Sequence, residues 1–278
     1  MNSGETVINP QKKPFDSTFT PELFSVSLSS SKDVLSSTSR IVELLDIYGV
    51  AIVQFREEES ARDQLLCFGE LFGNTMSHDR SDSDGIAEVA VIDELSPYPG
   101  ISSRAYTFHT DGSYDENPPK VVTLRCQTQA RDGGISQLAS GKRIYEYLLN
   151  EDVVALEALY RNDALLISRA GKSFSGAIFR KYSENCMAIR YRTDEAAHTS
   201  ENTDVHRGVK LVQEFLSDEK NLVTFKLEPK QVLITDNLTV LHARTAFGSD
   251  DPRQMHRLWF DGTPQRENGL RCGFIINN

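Results

Sequence analysis

Cysteine is scarce. Cys67, Cys126, Cys186 and Cys272 are the only four in 278 residues, and they are widely scattered with no CxxC pair. No disulfide framework is written into such spacing, and all four read as ordinary buried thiols. Positive charge is also short: Lys and Arg total 30 against 40 Asp and Glu, a net charge of −10. A field of that sign repels phosphate backbones and anionic lipid surfaces, so neither nucleic acid nor a membrane is an expected partner. No apolar run approaches the roughly 18 residues of a membrane span. The opening MNSGETVINPQKKPFDS lacks an apolar h-region, so a cytoplasmic location is the expectation. Repeats and low-complexity tracts are missing too.

What is present suits a globular enzyme-sized unit. Apolar residues make up 39% and charged residues 25%, enough for a sizeable core and too mixed for a disordered chain. A single domain over 1–278 is expected, with residues 1–20 as a flexible arm. Helical apolar spacing covers Ser39–Asp46, Glu57–Gly73, Lys142–Leu149, Asp152–Asp163 and His206–Glu219. β-rich runs cover Tyr48–Phe55, Pro118–Gln129, Leu165–Arg169, Ala177–Tyr182 and Met187–Arg192, and four more follow between Thr224 and Thr263. Two polar stretches, 78–104 (interrupted by the apolar IAEVAVID) and 192–207, read as loops able to close over a site. The sum is mainly β with flanking helices, a barrel or sandwich.

Six histidines occur: His78, His109, His198, His206, His242 and His256. His109 and Asp111, in FHTDGSY, sit at i and i+2, a spacing that points both side chains to one face of an extended segment. With one distant histidine, they would complete the two-histidine, one-carboxylate triad of non-haem Fe(II) enzymes, which leaves three coordination positions open. A histidine bonded to a turn aspartate would read the same way, so the pair needs company. His242, closing VLITDNLTVLH, can supply the third ligand. Arg253 and Arg257 in DPRQMHRLWF share a strand face, and two guanidiniums beside a metal site suit two anionic groups; a surface-facing basic strand is the alternative. His256 would face the other way and is read as structural. His78, His198 and His206 lie in polar segments and are read as solvated.

FHTDGSY, then PP, a strand, GG, DN-x₄-H-x-R-x-x-F and R-x-x-x-R together resemble the Fe(II)/2-oxoglutarate-dependent dioxygenases of the TauD/TfdA (taurine dioxygenase and clavaminate synthase-like) family. The resemblance runs from about Tyr48 to about Phe260. It implies a double-stranded β-helix, or jelly roll. It implies His109, Asp111 and His242 as metal ligands, with no catalytic residue beyond them. Arg253 falls where the family binds the distal carboxylate of 2-oxoglutarate, and Ser136, in GGISQLAS, where a threonine usually assists. Arg257 matches a position that often meets a substrate anion. Phe108, Tyr114 and Trp259 lie beside these motifs; Phe108 and Tyr114 are taken as candidate substrate contacts.

The implied cofactors are Fe(II), with 2-oxoglutarate and O₂ as co-substrates and succinate and CO₂ as co-products. An intact Asp111 favours hydroxylation over halogenation. The implied substrate is a small, anionic, amino-acid- or peptide-derived metabolite of natural-product biosynthesis. Desaturation, epoxidation or oxidative cyclisation on the same cofactors remains open, as does a non-catalytic metabolite-binding jelly roll. The oligomeric state is not legible.

Overall fold

The computed structural model describes residues 12–276, apart from Pro97, Ala170, Glu184 and Asn185. The strands, in chain order, are β1 (Ser25–Leu28), β2 (Val50–Phe55), β3 (Thr75–Met76), β4 (Ala87–Ala90), β5 (Tyr106–His109), β6 (Val121–Thr128), β7 (Ser136–Ser140) and β8 (Leu165–Arg169). They continue with β9 (Lys172–Gly176), β10 (Phe179–Ser183), β11 (Cys186–Ile189), β12 (Ala197–Thr199), β13 (Leu222–Phe225), β14 (Gln231–Asp236), β15 (Val240–Arg244), β16 (Gln254–Phe260) and β17 (Phe274–Ile275). The α-helices are α1 (Thr38–Tyr48), α2 (Ala61–Leu66), α3 (Gly69–Phe72), α4 (Gly141–Glu151), α5 (Val153–Ala158) and α6 (Thr203–Ser217).

Two sheets carry the architecture. The larger has the order β1-β2-β14-β6-β16-β3, with β4 also on β16; the smaller has the order β13-β7-β15-β5. Side chains alternate across each strand, so every strand feeds two layers. From β2, Ala51, Val53 and Phe55 face outward onto α1, α2 and α3, packing with Ile41, Leu44, Leu65, Phe68 and Phe72. Val50 and Ile52 of the same strand face inward, where they meet Leu138 of β7, Val223 of β13 and Val240 of β15. The smaller sheet repeats the device: Ala139 and Leu241 turn outward to a core built on Ile144, Leu148, Val209 and Val212 of α4 and α6. The order is therefore helices, sheet, interior, sheet, helices. On β15 the inward positions are Val240, His242 and Arg244, which puts one candidate ligand in the interior by alternation alone.

Several sequence expectations shift in detail. The helix expected over Glu57–Gly73 is two pieces, α2 and α3, broken at Cys67–Phe68. Met187–Arg192 pairs only as far as Ile189. Strands β7, β9 and β12 were not expected, being short and flanked by polar residues. Strand β4 does lie inside the 78–104 loop. Among the described residues no helix is long and apolar enough to cross a membrane.

The expected arm needs correcting. Residues 1–11 lie outside the described residues, but Lys12 and Phe15 are buried. Lys12 Nζ forms an ion pair with Asp236 Oδ2 and donates to the carbonyl oxygens of Leu45 and Arg271. Phe15 packs edge-on to Phe24. A buried carboxylate needs a cation and hydrogen bonds to offset its lost hydration, and Asp236 takes its cation from this segment. Polar composition misled because the one lysine that matters is committed to an internal partner.

Candidate active site

Strands β5 and β15 lie antiparallel with His109 directly opposite His242. The chain leaves β5 at His109, and Thr110 is held by two backbone contacts with Tyr191, its N–H donating to the Tyr191 carbonyl and its hydroxyl accepting from the Tyr191 N–H. Asp111 follows, then Gly112 at φ +60°, where an added Cβ would lie 2.6 Å from Pro119 Cδ. Only glycine takes that conformation and that approach without strain. The three side chains converge: one ligand atom each from His109, Asp111 and His242 lie within 4.8 Å of one another. His109 Nε2 is 3.4 Å and His242 Nε2 3.8 Å from Asp111 Oδ1.

The surroundings of each member are compatible with holding a cation. His109 Nδ1 lies 2.8 Å from the Thr107 carbonyl oxygen. A carbonyl can only accept, so Nδ1 carries the proton and Nε2 presents a lone pair. That Nε2 is buried with no hydrogen-bond partner, an orphan that a divalent metal would satisfy. Burial pulls the His109 imidazole below its ordinary pKa. Burial, reinforced by His109, takes His242 down to about 3. Both are neutral near pH 7, the form that ligates metal. Burial alone would raise the Asp111 carboxyl, but the Arg257 guanidinium and the His109 contact outweigh it and hold it well below the usual range.

Asp111 is gripped from four sides. Its backbone N–H donates to Asn237 Oδ1 at 2.8 Å, and Asn237 Nδ2 donates to the carbonyl oxygens of Asp111 and Pro119. Arg257 Nη1 donates to Oδ1 at 3.1 Å and Trp259 Nε1 to Oδ2 at 2.9 Å. Asn237 thereby ties the β14–β15 turn to the metal motif, a role its position in the DN pair did not disclose. Asn237→Ala is expected to leave a buried N–H and two carbonyls unpartnered. At about 1 kcal/mol or more for each lost partner, stability should fall by roughly 2–4 kcal/mol. The urea unfolding midpoint would record it; an unchanged midpoint would show that the clamp contributes nothing.

A cavity opens beside the cluster. Its walls are mostly apolar (Val89, Val122, Leu124, Leu138, Leu233), and Ser136, Arg244 and Arg253 supply polar groups with His109 and His242 on the same lining. Arg253 is buried, and its Nε has no partner. Burial lowers it to about 10, still cationic at neutral pH. Gly134, at φ +61°, lets the backbone pass Arg253: an added Cβ would sit 3.2 Å from its Cδ. Arg244 is committed instead to the carbonyl oxygens of Pro99, Ser102, Ser103 and Thr245. Phe247 stacks against both guanidiniums, 4.6 Å from Arg244 and 5.3 Å from Arg253.

Other expected residues fall less simply. Arg257 lines the cavity, but its Nη1 is on Asp111 and its Nη2 is 2.9 Å from His78 Nε2, so an open anion-binding role is replaced by a grip on the carboxylate. Phe108 does not line this cavity. Strand alternation turns it away from His109, and it packs on the α4–α6 core. Tyr114 does face the site. So does Trp259. His78, read as solvated, instead packs 4.7 Å from the Trp259 ring, and burial with the neighbouring Arg257 lowers it to about 4. His198 and His206 are exposed, as expected, and His256 faces away from Arg257. Tyr106, not singled out from the sequence, stacks on the His109 ring at 3.9 Å and accepts from Arg192 Nη2. No pattern in the sequence distinguishes these aromatic and basic residues from core; only the assembled strands do.

The family model described as "Taurine catabolism dioxygenase TauD, TfdA family" matches residues 11–259. The chain belongs to the TauD/TfdA family. Among curated members, FR-33289 synthase of Streptomyces rubellomurinus is 26% identical over 177 residues, 57% of this chain and 52% of that protein; the chain thus matches about half the length of that relative. A uridine-5'-phosphate dioxygenase of a Streptomyces species is 25% identical over 235 residues, 77% of this chain and 84% of that one. Among solved TauD/TfdA-like folds, asparagine oxygenase in complex with Fe(II), 2S,3S-3-hydroxyasparagine and succinate superposes with TM-score 0.64 at 14% identity, covering 85% of this chain and 93% of that one. The non-haem iron oxygenase OrfP with Fe and alpha-ketoglutaric acid gives 0.65 at 13%, covering 91% and 100%. At such identity these two speak for the fold.

Proposed function

We propose that this chain is an Fe(II)- and 2-oxoglutarate-dependent dioxygenase of 278 residues in one domain, hydroxylating an unactivated C–H of a small anionic metabolite derived from an amino acid, peptide or nucleotide. The observation that carries the reading is the buried His109–Asp111–His242 cluster, with its orphan imidazole nitrogen, on the wall of a cavity that also holds Arg253, whose Nε has no hydrogen-bond partner. The two facing sheets support a double-stranded β-helix. The relatives whose names specify asparagine or uridine-5'-phosphate support the substrate range.

The residues present fit the implied groups. His109, Asp111 and His242 would hold Fe(II), and Arg253 with Ser136 would hold the distal carboxylate of 2-oxoglutarate. When bound, the iron and co-substrate supply the oxidising chemistry, ending in succinate and CO₂. The chain's own work is geometric. Thr107 fixes the His109 tautomer. Arg257 and Trp259 fix both oxygens of Asp111, so that a carboxylate is presented in one orientation. Val122, Leu124, Leu138 and Leu233 exclude water from the co-substrate cavity, strengthening the Arg253 contact. Tyr114, Arg257 and the loops 78–104 and 192–207 border the substrate side, and both loops act as lids.

Mixing the protein anaerobically with Fe(II) and 2-oxoglutarate is expected to give a visible charge-transfer band. Admitting O₂ with substrate should then yield succinate in step with product. A protein that forms no band, or turns over under nitrogen without 2-oxoglutarate, would sink the assignment.

A further inference from the structure

A second cavity adjoins the first, and Tyr106 and Arg257 line both. Asp111 lies on its wall, so this cavity too reaches the metal cluster. Most of its charged groups are already engaged. Arg257 is on Asp111 and His78. Arg192 is fully buried and is held by Asp194, by Ser113 Oγ at 2.9 Å and by the Tyr106 hydroxyl. Arg169 reaches the same Asp194 carboxylate at 3.4 Å. Arg80 differs, because its Nη1 is buried with no hydrogen-bond partner. Its guanidinium carbon lies 5.1 Å from the centroid of the Tyr98 ring, a contact that steadies the fork without using a donor. Asp79, the other acid on the wall, is exposed.

Burial lowers the Arg80 guanidinium below its ordinary value, and the like charge of Arg257 pushes the same way; arginine stays cationic near neutral pH all the same. A buried N–H without an acceptor costs more than an ordinary hydrogen bond returns, and a partly desolvated cation adds to that cost. A ligand that brings both an acceptor and a negative charge removes the two together. We propose that Arg80, braced on Tyr98, is the specificity-determining residue that binds a carboxylate of the substrate. One planar fork takes one carboxylate through paired N–H···O bonds. A tetrahedral dianion would bring a second charge, and the other guanidiniums on this wall are engaged. The proposal rests on the dioxygenase assignment. It moves the substrate's anionic handle from Arg257, whose terminal nitrogens are engaged, to the 78–104 loop.

The test uses protein loaded anaerobically with Fe(II) and saturating 2-oxoglutarate, which occupies the metal and Arg253. N-acetylglycine, its uncharged isostere N-acetylglycinamide, and methyl phosphate are titrated by calorimetry while the charge-transfer band is monitored. A band that persists shows that the probe has not displaced 2-oxoglutarate. The acid is expected to bind about tenfold or more tighter than the amide, the worth of a hydrogen bond to a charged group, and tighter than methyl phosphate. Arg80→Gln should bring the acid down to the affinity of the amide, with the band retained. Arg80→Lys should keep only part of the preference, since a point charge lacks the paired donors. An acid that binds no better than its amide, or no binding of either, overturns the proposal. Methyl phosphate binding tighter than the acid overturns the carboxylate. A full preference for the acid in Arg80→Gln, or in Arg80→Lys where the glutamine variant fails to fold, shows that the anion is held elsewhere. Failure of the band in the unsubstituted protein would instead strike the dioxygenase assignment itself.

Discussion

Asp111→Asn is expected to bind Fe(II) at least a hundredfold more weakly than the parent and to lose turnover altogether. The amide keeps the size of the carboxylate and one acceptor oxygen, so the Asn237 clamp on the backbone and one of the bonds from Arg257 or Trp259 survive. What disappears is the negative charge at the centre of the cluster. With two neutral imidazoles beside it, that charge is the anionic member of the cluster, and hard cations depend on it. Loss of even an outer hydrogen-bonding partner costs roughly 10–100-fold in metal affinity, and an inner ligand should cost more. Anaerobic titration, or Mn(II) binding followed by its electron-spin signal, measures this directly. Undiminished affinity would mean that the triad is not the metal site. Asp111→Ala should be worse for stability, since it strands the Arg257 and Trp259 donors in a buried position.

Arg253→Ala should raise the 2-oxoglutarate concentration needed for half-saturation by about a hundredfold or more, with much less effect on the requirement for substrate. Removing one partner of a buried charged pair costs roughly 2–5 kcal/mol, and about 3 kcal/mol is two decades. The guanidinium is buried with an unpartnered Nε in a mostly apolar cavity, and the neighbouring Arg244 is committed to backbone carbonyl oxygens, so no neighbouring side chain is free to substitute. Arg253→Lys should recover only part of the loss, because a point charge cannot make the paired contacts of a fork. Titrating 2-oxoglutarate against the charge-transfer band separates binding from turnover. A variant that binds 2-oxoglutarate as the parent does would show that the distal carboxylate is anchored elsewhere.

The chemistry of the first cavity was legible in the sequence because it is written in ordered motifs. HTDG, the GG pair, DN-x₄-H and R-x-x-x-R each mark a local geometry; strand periodicity delivers His109 and His242 to one interior, and Arg253 joins them from the residue just before β16. Gly112 and Gly134 show why the motifs carry glycine. An adjoining cavity, lined in part by Arg80, Tyr98, Arg169 and Arg192, was not legible, since these residues are distant in the chain and sit in loops or at strand ends where no period applies. His78 looked like a solvated histidine for the same reason. Phe108 was misassigned by adjacency: standing next to a ligand in a strand places a residue on the opposite face. Lys12 and Phe15 show that a polar, proline-containing stretch is not thereby loose.

The alternation of β2, β14 and β15 divides labour between the faces of each strand. Outward side chains build the two helix-covered cores, whereas inward ones supply ligands and cavity walls. The exposed residues of the loops that border the cavity belong to neither outer core. Substitutions at exposed positions of the 78–104 and 192–207 loops can therefore accumulate with little loss of folding free energy, while His109, Asp111, His242 and Arg253 stay untouched. Such a scaffold is evolvable in a particular sense: the choice of molecule to be oxidised can drift independently of the ability to oxidise.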